Sequence, residues 1–147
     1  MERPRLDRLK AASIVLAAIG ALDSLYLWYV KVSNAQAAFC SVGGGCDTVN
    51  NSLYSEIAGV PVAALGLGVY LLMVAIPLLE GRWTLATENG PLALFGLSLT
   101  GTLYSAYLTY LEVAVIHAIC PYCVISALVM LALLAVSAAR LRQQNME

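Results

Sequence analysis

The chain has 147 residues, of which 61% are hydrophobic and only 12% charged, and its formal net charge is −1. A soluble domain is nearer half apolar and a quarter charged, because a small domain cannot bury a larger apolar fraction. The composition therefore excludes an ordinary water-soluble domain and indicates a lipid bilayer as the solvent, and the near-neutral charge gives no basis for binding nucleic acid.

Four apolar segments each approach the roughly 20 residues that cross the hydrocarbon core of a membrane. The predicted spans, in chain order, are residues 11–30, 61–79, 91–111 and 120–139. Cleavage of the first span as a signal peptide is the alternative, but its apolar run is longer than such peptides usually have. The sequence thus predicts an all-α fold, a single-domain integral membrane four-helix bundle.

Basic residues are distributed unequally between the two ends of these spans. If four helices alternate in direction, seven lie on one side and Lys31 alone on the other: Arg3, Arg5, Arg8, Lys10, Arg82, Arg140 and Arg142. Cytoplasmic segments carry the excess of basic residues. Both termini are therefore predicted to be cytoplasmic, and the segments 31–60 and 112–119 to face outward.

An internal repeat joins the first and third spans. The segments 20–29 and 101–110 share the pattern G-x-L-x-S-x-Y-L-x-Y, and each is followed at a similar distance by a pair of cysteines. Close helix packing through Gly and Ser, with Tyr at the membrane interface, accounts for the residue types but not for that distance. The repeat predicts that both cysteine pairs lie at the outer membrane surface.

The two cysteine pairs differ in character. Cys40 and Cys46 enclose Ser-Val-Gly-Gly-Gly, whose glycines allow the pair to open and reorient in the polar outer segment. Cys120-Pro-Tyr-Cys123 opens the fourth span, where Pro121 suits a first helical turn and the helix N-terminus can stabilise a thiolate. An accessible pair and a pair close to lipid predict an electron relay by thiol–disulfide exchange, without a metal.

Other interpretations of the same residues compete with a relay. Static disulfides in a scaffold protein, or a four-thiolate zinc site, would also use the cysteines. Asp23 lies near the middle of the first span, where a charged carboxylate costs roughly 2.5–3.5 kcal/mol. It could be the coupling carboxylate of a small four-span transporter, or a protonated side chain satisfied by Tyr or Ser neighbours.

The arrangement resembles the vitamin K epoxide reductase family, in particular its bacterial members, over nearly the whole chain. The shared marks are a cysteine pair after the first span, a serine six residues after its second cysteine (Ser52 after Cys46), and a C-x-x-C that opens the last span. The DsbB family also has four spans and two pairs, but there the C-x-x-C comes first.

The resemblance implies a role for each cysteine. Cys40 and Cys46 would accept electrons from a thioredoxin-fold partner, Cys46 would exchange with Cys120, and Cys123 would face a quinone, either ubiquinone or menaquinone. Ser52 would line the quinone pocket on a short half-helix within an outer capping loop. The location would be the bacterial inner membrane with the cysteines on the periplasmic side, and the outcome would be disulfide formation in exported proteins.

Periodicity supports the half-helix, because Val49, Leu53 and Ile57 recur every four residues within residues 47–57. Two features depart from parts of the family. Animal members carry a tyrosine where this chain has Ala127, which argues against vitamin K epoxide as the substrate. Some bacterial members carry a fused thioredoxin-like domain, and since this sequence ends soon after the fourth span, we expect a separate redox partner.

Glu112 and His117 flank the predicted outer turn before Cys120. His117 is a candidate accessory proton relay, because reduction of a quinone consumes two protons. The alternative, which we adopt, is that both are solvated residues at the membrane interface.

Overall fold

A computed structural model describes residues 3–33, 53, 56–117 and 119–146. Its helices, in chain order, are α1 (Arg3–Ser33), α2 (Val62–Leu79), α3 (Thr84–Leu111) and α4 (Pro121–Met146), and a π-helical segment, Glu112–Ile116, continues α3. The strands β1 (Glu56–Ile57) and β2 (Val60–Pro61) pair antiparallel just before α2. The four helices of the described part are long and apolar enough to cross a membrane, which confirms the predicted all-α membrane bundle.

Three of the four described helices, α1, α3 and α4, are longer than the predicted spans. α1 begins at Arg3, well before residue 11, because Arg, Leu and Lys favour helix and the charged ends of Arg and Lys can reach water from the membrane interface. α3 begins at Thr84, so that Pro91 lies inside the helix rather than at its start. Proline is tolerated inside membrane helices, where neighbouring helices satisfy the freed backbone groups. Hydropathy therefore located the spans, but α1 and α3 begin earlier and α4 ends later than predicted.

The helices pack unequally around the core. The most extensive contacts join α3 to α4, α1 to α2 and α1 to α4, whereas α2 and α3 touch less. The buried core residues come from all four helices: Ala17, Ala21, Tyr70, Met73, Leu94, Val129, Met130 and Leu133. The weaker contact between α2 and α3 leaves room for a cavity between these two helices.

The two glycines that begin the internal repeat allow side chains of neighbouring helices to approach closely. The ring of Tyr70 packs directly against Gly20, and the side chain of Met130 packs against Gly101. Tyr70 is fully buried, and its hydroxyl lies 2.8 Å from Ser126 Oγ. Close packing at the repeat glycines is therefore confirmed, and one of these contacts fixes a tyrosine between α1, α2 and α4.

We expect Gly20→Ala to destabilise the bundle by about 1–3 kcal/mol, because the added methyl would overlap the Tyr70 ring. Gly68→Ala, in α2, is the matched control, because a methyl there would meet nothing within 4 Å. This change should be neutral or slightly stabilising, since alanine favours helix over glycine. Denaturant titrations of the two variants in detergent measure the difference, and equal stabilities would contradict the predicted overlap.

A buried ion pair joins α4 to the turn between α2 and α3. Arg140 Nη2 lies 2.7 Å from Glu80 Oε2, and the side chains are only 6% and 11% exposed. Nearby, the Gln144 side chain donates a hydrogen bond to the Glu88 carbonyl oxygen at 3.3 Å. This end of the bundle is therefore held by polar contacts, in contrast to the apolar core.

A tight hairpin, rather than the end of a half-helix, precedes α2. Ala58 and Gly59 have positive φ angles of 53° and 83°, which a two-residue hairpin turn requires. Ile57 consequently lies in β1, and the prediction that the half-helix extends to it is wrong. The part of the predicted half-helix before Glu56, apart from Leu53, lies outside the described residues, and so does Ser52.

Candidate active site

The C-terminal end of α1 meets the N-terminal ends of α2 and α4. Leu27, Val30 and Cys120 are buried together there, and the residues packed against them are Tyr26, Ala63, Tyr122 and Cys123. The rings of Tyr26 and Tyr122 lie 5.2 Å apart between centroids. The chain thus places its C-x-x-C motif against the end of the first repeat segment, at the opposite end of the bundle from the Glu80–Arg140 pair.

Cys120 lies in the link before α4, and Pro121 is the first residue of that helix, as predicted. The Cys120 side chain is fully buried, whereas Cys123 is half-buried. The backbone N–H of Cys123 donates a hydrogen bond to Cys120 Sγ at 3.4 Å. The sulfur of Cys120 therefore accepts a hydrogen bond from an otherwise orphaned N–H at the start of α4, a position that stabilises a thiolate.

The pKa of Cys120 lies below the ordinary value for a thiol. The main cause is a hydrogen bond from the Cys123 side chain, and backbone N–H groups of Tyr122 and Cys123 act in the same direction. Burial and the charge of Glu112 oppose this effect by raising the pKa. The balance gives Cys120 more thiolate character than a free cysteine, which suits it to exchange with another pair.

We expect Cys123→Ala to raise the pKa of Cys120, because it removes the side-chain donor that stabilises the thiolate. The measurement is a titration of thiolate ultraviolet absorbance in a Cys40→Ala/Cys46→Ala background. Cys123→Ser is the matched control, since its hydroxyl can still donate, so its thiolate should form at lower pH than that of the alanine variant. Identical titrations of the two variants would contradict this cause.

A cavity of about 540 Å³ lies between the helices next to the C-x-x-C motif. Its wall is mostly apolar and comes from all four helices, together with Ile57 of β1. Cys123 lies on this wall, and so do the carboxyl-bearing residues Asp23 and Glu112. The cavity therefore brings a redox-capable sulfur, two carboxyl groups and a largely apolar surface together inside the bundle.

The internal repeat supplies two walls of this cavity. Positions that are equivalent in the two copies line it together: Asp23 with Tyr104, Ser24 with Ser105, and Leu27 with Leu108. The first member of each pair belongs to α1 and the second to α3. The repeat thus gives the cavity matched surfaces, a role that its sequence pattern did not reveal.

Asp23 is not fully satisfied by its neighbours. Its Oδ2 atom is buried and has no hydrogen-bond partner among the described residues. The expectation that Tyr or Ser side chains satisfy Asp23 therefore fails for this oxygen. An unpaired carboxyl oxygen on a cavity wall offers a polar contact to a bound molecule.

Glu112 is buried, with 2% of its surface exposed, so the expectation that it is solvated is wrong. Its Oε2 accepts a hydrogen bond from the Cys120 N–H at 3.3 Å. The π-helical turn that begins at Glu112 carries this side chain inward, which its position beside a predicted turn could not show. His117 ends the same segment with a positive φ of 57°, is exposed and does not line the cavity.

Of the residues proposed from the sequence, the structure places Cys123 and Asp23 on the cavity wall and Cys120 beside Cys123. Cys40, Cys46 and Ser52 lie outside the described residues, so their roles stay predictions.

Comparison with known proteins identifies both a family and an individual relative. The sequence profile of the vitamin K epoxide reductase family matches residues 11–138, a range that includes all four cysteines. The thiol-disulfide oxidoreductase LTO1 of Arabidopsis thaliana is 34% identical over an alignment of 132 residues, and the match covers 86% of this chain and 35% of that protein. The chain therefore spans about a third of the length of this relative.

Proposed function

Because this chain belongs to the vitamin K epoxide reductase family, we propose that it is a membrane thiol–quinone oxidoreductase. Electrons would enter at Cys40 and Cys46, pass by thiol–disulfide exchange to Cys120 and Cys123, and leave for a quinone in the cavity. The donor would be a separate thioredoxin-fold protein, which in its oxidised form introduces disulfides into exported proteins. The printed name of the LTO1 relative describes the same class of chemistry.

One observation carries this proposal: Cys123 lies on the wall of an apolar cavity inside a membrane bundle and next to Cys120. A pair that served only as a structural staple would not need a cavity beside one of its sulfurs. A pair that passes electrons to a lipid-soluble carrier needs this arrangement, because the carrier must reach a sulfur without leaving the apolar phase.

The residues around the cavity fit a quinone. The volume of about 540 Å³ lies within the range of roughly 300–1,000 Å³ that is typical of sites for small organic molecules. The apolar wall suits the ring and the start of a lipid tail, and Asp23 Oδ2 lacks a partner within the described residues. A protonated Asp23, with the hydroxyl groups of Ser24 and Tyr104, would hold the ring oxygens. When bound, the quinone would supply the two-electron acceptor.

The residues of this chain would have separate roles in the electron transfer. Cys120, whose pKa is lowered, would exchange with Cys46 of the outer pair. Cys123 would be released from its disulfide with Cys120 and would face the cavity. The surrounding apolar side chains would keep water from this step. Ubiquinone and menaquinone would both suit such a cavity.

The proposed orientation follows from the basic residues. The ends of α1 and α4 that carry the candidate active site would lie on the outer, periplasmic side of a bacterial inner membrane, and both termini would be cytoplasmic. In that orientation the Glu80–Arg140 pair lies near the cytoplasmic face.

The test is reduction of a short-chain ubiquinone or menaquinone by the purified protein. The loss of quinone absorbance measures the rate. A reduced thioredoxin-fold protein serves as electron donor. We expect reduction that depends on both the donor and the membrane protein. Failure to exceed the rate without the membrane protein, for both quinones and with intact Cys123, would refute the proposal.

The main alternative is a transporter that couples through Asp23. Such a protein would depend on Asp23 and would be indifferent to the cysteines. Replacing all four cysteines by alanine therefore separates the two functions, because it would abolish quinone reduction but leave transport intact.

A further inference from the structure

The carboxyl group of Glu112 has an unusual position for a charged side chain. It belongs to the π-helical turn at the end of α3, and only 2% of the residue is exposed. π-Helical turns are rare and occur frequently at functional sites. A buried carboxyl must find hydrogen-bond donors or a proton, because its desolvation is costly.

Within the described residues, the hydrogen-bonding neighbours of this carboxyl belong to the C-x-x-C motif. Its Oε2 accepts a hydrogen bond from the Cys120 N–H at 3.3 Å, and the Cys123 side chain lies within hydrogen-bonding reach of the same carboxyl group. Glu112 also lines the cavity on which Cys123 lies. One carboxyl group therefore touches the sulfur that faces the cavity and the cavity itself.

An ion-pair role does not explain this placement. The ion pairs within the described residues join Lys31 to Glu56 and Arg140 to Glu80, and neither includes Glu112. His117, the residue considered as a proton relay from the sequence, is exposed and does not contribute to the cavity wall. Among the described carboxyl groups, that of Glu112 thus lies beside the Cys123 thiol and also lines the cavity.

We propose that Glu112 is a catalytic residue that exchanges a proton with the Cys123 thiol. This inference rests on the proposed redox function of the Cys120–Cys123 pair. When the outer dithiol reduces this pair, the bond between Cys120 and Cys123 breaks, and the Cys123 thiolate takes a proton from the Glu112 carboxylic acid.

Reoxidation reverses this proton transfer. The Glu112 carboxylate takes the Cys123 proton while the bond between Cys120 and Cys123 forms and two electrons leave for the quinone. The second proton comes from Cys120. Two electrons and two protons leave the dithiol, and the same numbers convert a quinone to a quinol. As a carboxylic acid on the cavity wall, Glu112 can pass its proton to the carrier, and a proton released when the outer dithiol is oxidised then restores the acid for the next cycle.

The direct test is the infrared difference spectrum between the oxidised and reduced forms of the purified full chain. The sample contains no quinone, and a phosphine reduces the pair while diamide oxidises it. We expect a carboxylic acid band whose intensity changes with the redox state of the pair. This band should be lost in Glu112→Gln and unchanged in Glu88→Gln, a matched change at an exposed position near the other end of α3.

Two further measurements test the role of Glu112 independently of whether the glutamine variant folds. Glu112→Asp retains the carboxyl and should shift the band, which assigns it even if the glutamine variant does not fold. Quinone reduction by Glu112→Gln should fall by roughly a hundredfold, the usual range for loss of a general acid–base group.

The outcomes distinguish this inference from the proposed function. A redox-linked band that does not respond to either change at Glu112, or no such band in the unmodified chain, would overturn the role of Glu112 even if quinone is reduced. A band that depends on Glu112 in a chain that reduces no quinone would instead leave the proton exchange standing and refute the quinone as acceptor.

Discussion

Replacement of Cys123 by alanine is expected to lower quinone reduction by roughly three orders of magnitude or more, because the proposed pathway has no other thiol on the described cavity wall. The variant should still fold, since Cys123 is only half-buried and alanine suits a helix. The rate of quinone bleaching with a reduced thioredoxin-fold donor measures the effect. Cys120→Ala should be equally inactive, because its sulfur must exchange with the outer pair.

Ile125→Ala is the matched control for this experiment. Ile125 lies two residues further along α4, is 43% exposed and does not line the cavity. Its truncation should leave the rate within about twofold of the unmodified protein, because an exposed apolar side chain contributes little to the site. A Cys123→Ala variant as active as this control would remove Cys123 from the electron pathway.

Removal of the Glu80 side chain by alanine is expected to destabilise the bundle by about 3–5 kcal/mol, the typical cost of leaving one partner of a buried ion pair uncompensated. The Arg140 side chain is 94% buried, and its Nε and Nη1 atoms have no other hydrogen-bond partner within the described residues. A denaturant titration in detergent, monitored by tryptophan fluorescence, measures the loss.

The ion pair between Lys31 and Glu56 provides the comparison. Its atoms are 3.2 Å apart, but the Glu56 side chain is 50% exposed. Because solvent screens such a pair, Glu56→Ala should cost no more than about 1 kcal/mol. The double variant Glu80→Leu/Arg140→Leu should recover much of the stability lost in Glu80→Ala, because it removes both buried charges. If the Glu80 and Glu56 variants lost equal stability, burial would not be what makes the former pair important.

The helices could be predicted from the sequence because a membrane leaves few alternatives for a long apolar segment. The ends of the helices could not, since residues such as Thr84 and Arg3 continue a helix beyond the apolar core. Hydropathy measures where a chain can contact lipid, whereas a helix ends where its backbone geometry changes. Pro91 shows the difference, because the predicted span begins at this residue whereas the helix begins about two turns earlier, at Thr84.

The hairpin before α2 shows a competing local signal. The recurrence of Leu53 and Ile57 at a helical spacing predicted a half-helix through Ile57. Ala58 and Gly59 instead form a turn with positive φ angles, and the pairing of Glu56–Ile57 with Val60–Pro61 follows from it. A glycine that fits a hairpin turn was a stronger signal than the spacing of two apolar residues.

The candidate site was predicted in part. The C-x-x-C motif at the start of the last helix identified Cys120 and Cys123, and Asp23 stood out because a carboxyl in a span is costly. Glu112 was missed because its direction depends on a π-helical turn, which has no clear sequence signal. Its position eight residues before Cys120, beyond the apolar part of the span, gave it the appearance of a surface residue.

The central claim is that electrons pass from the outer cysteine pair to the pair at the start of α4. It can be tested with a variant that keeps one cysteine of each pair. In a Cys40→Ala/Cys123→Ala variant, Cys46 and Cys120 are the cysteines that remain. The account predicts that mild oxidation in membranes joins them in an intramolecular disulfide, which peptide mass spectrometry identifies. Two unlinked thiols after oxidation, with Cys46 modified from the side of the bilayer opposite to Cys120, would contradict it.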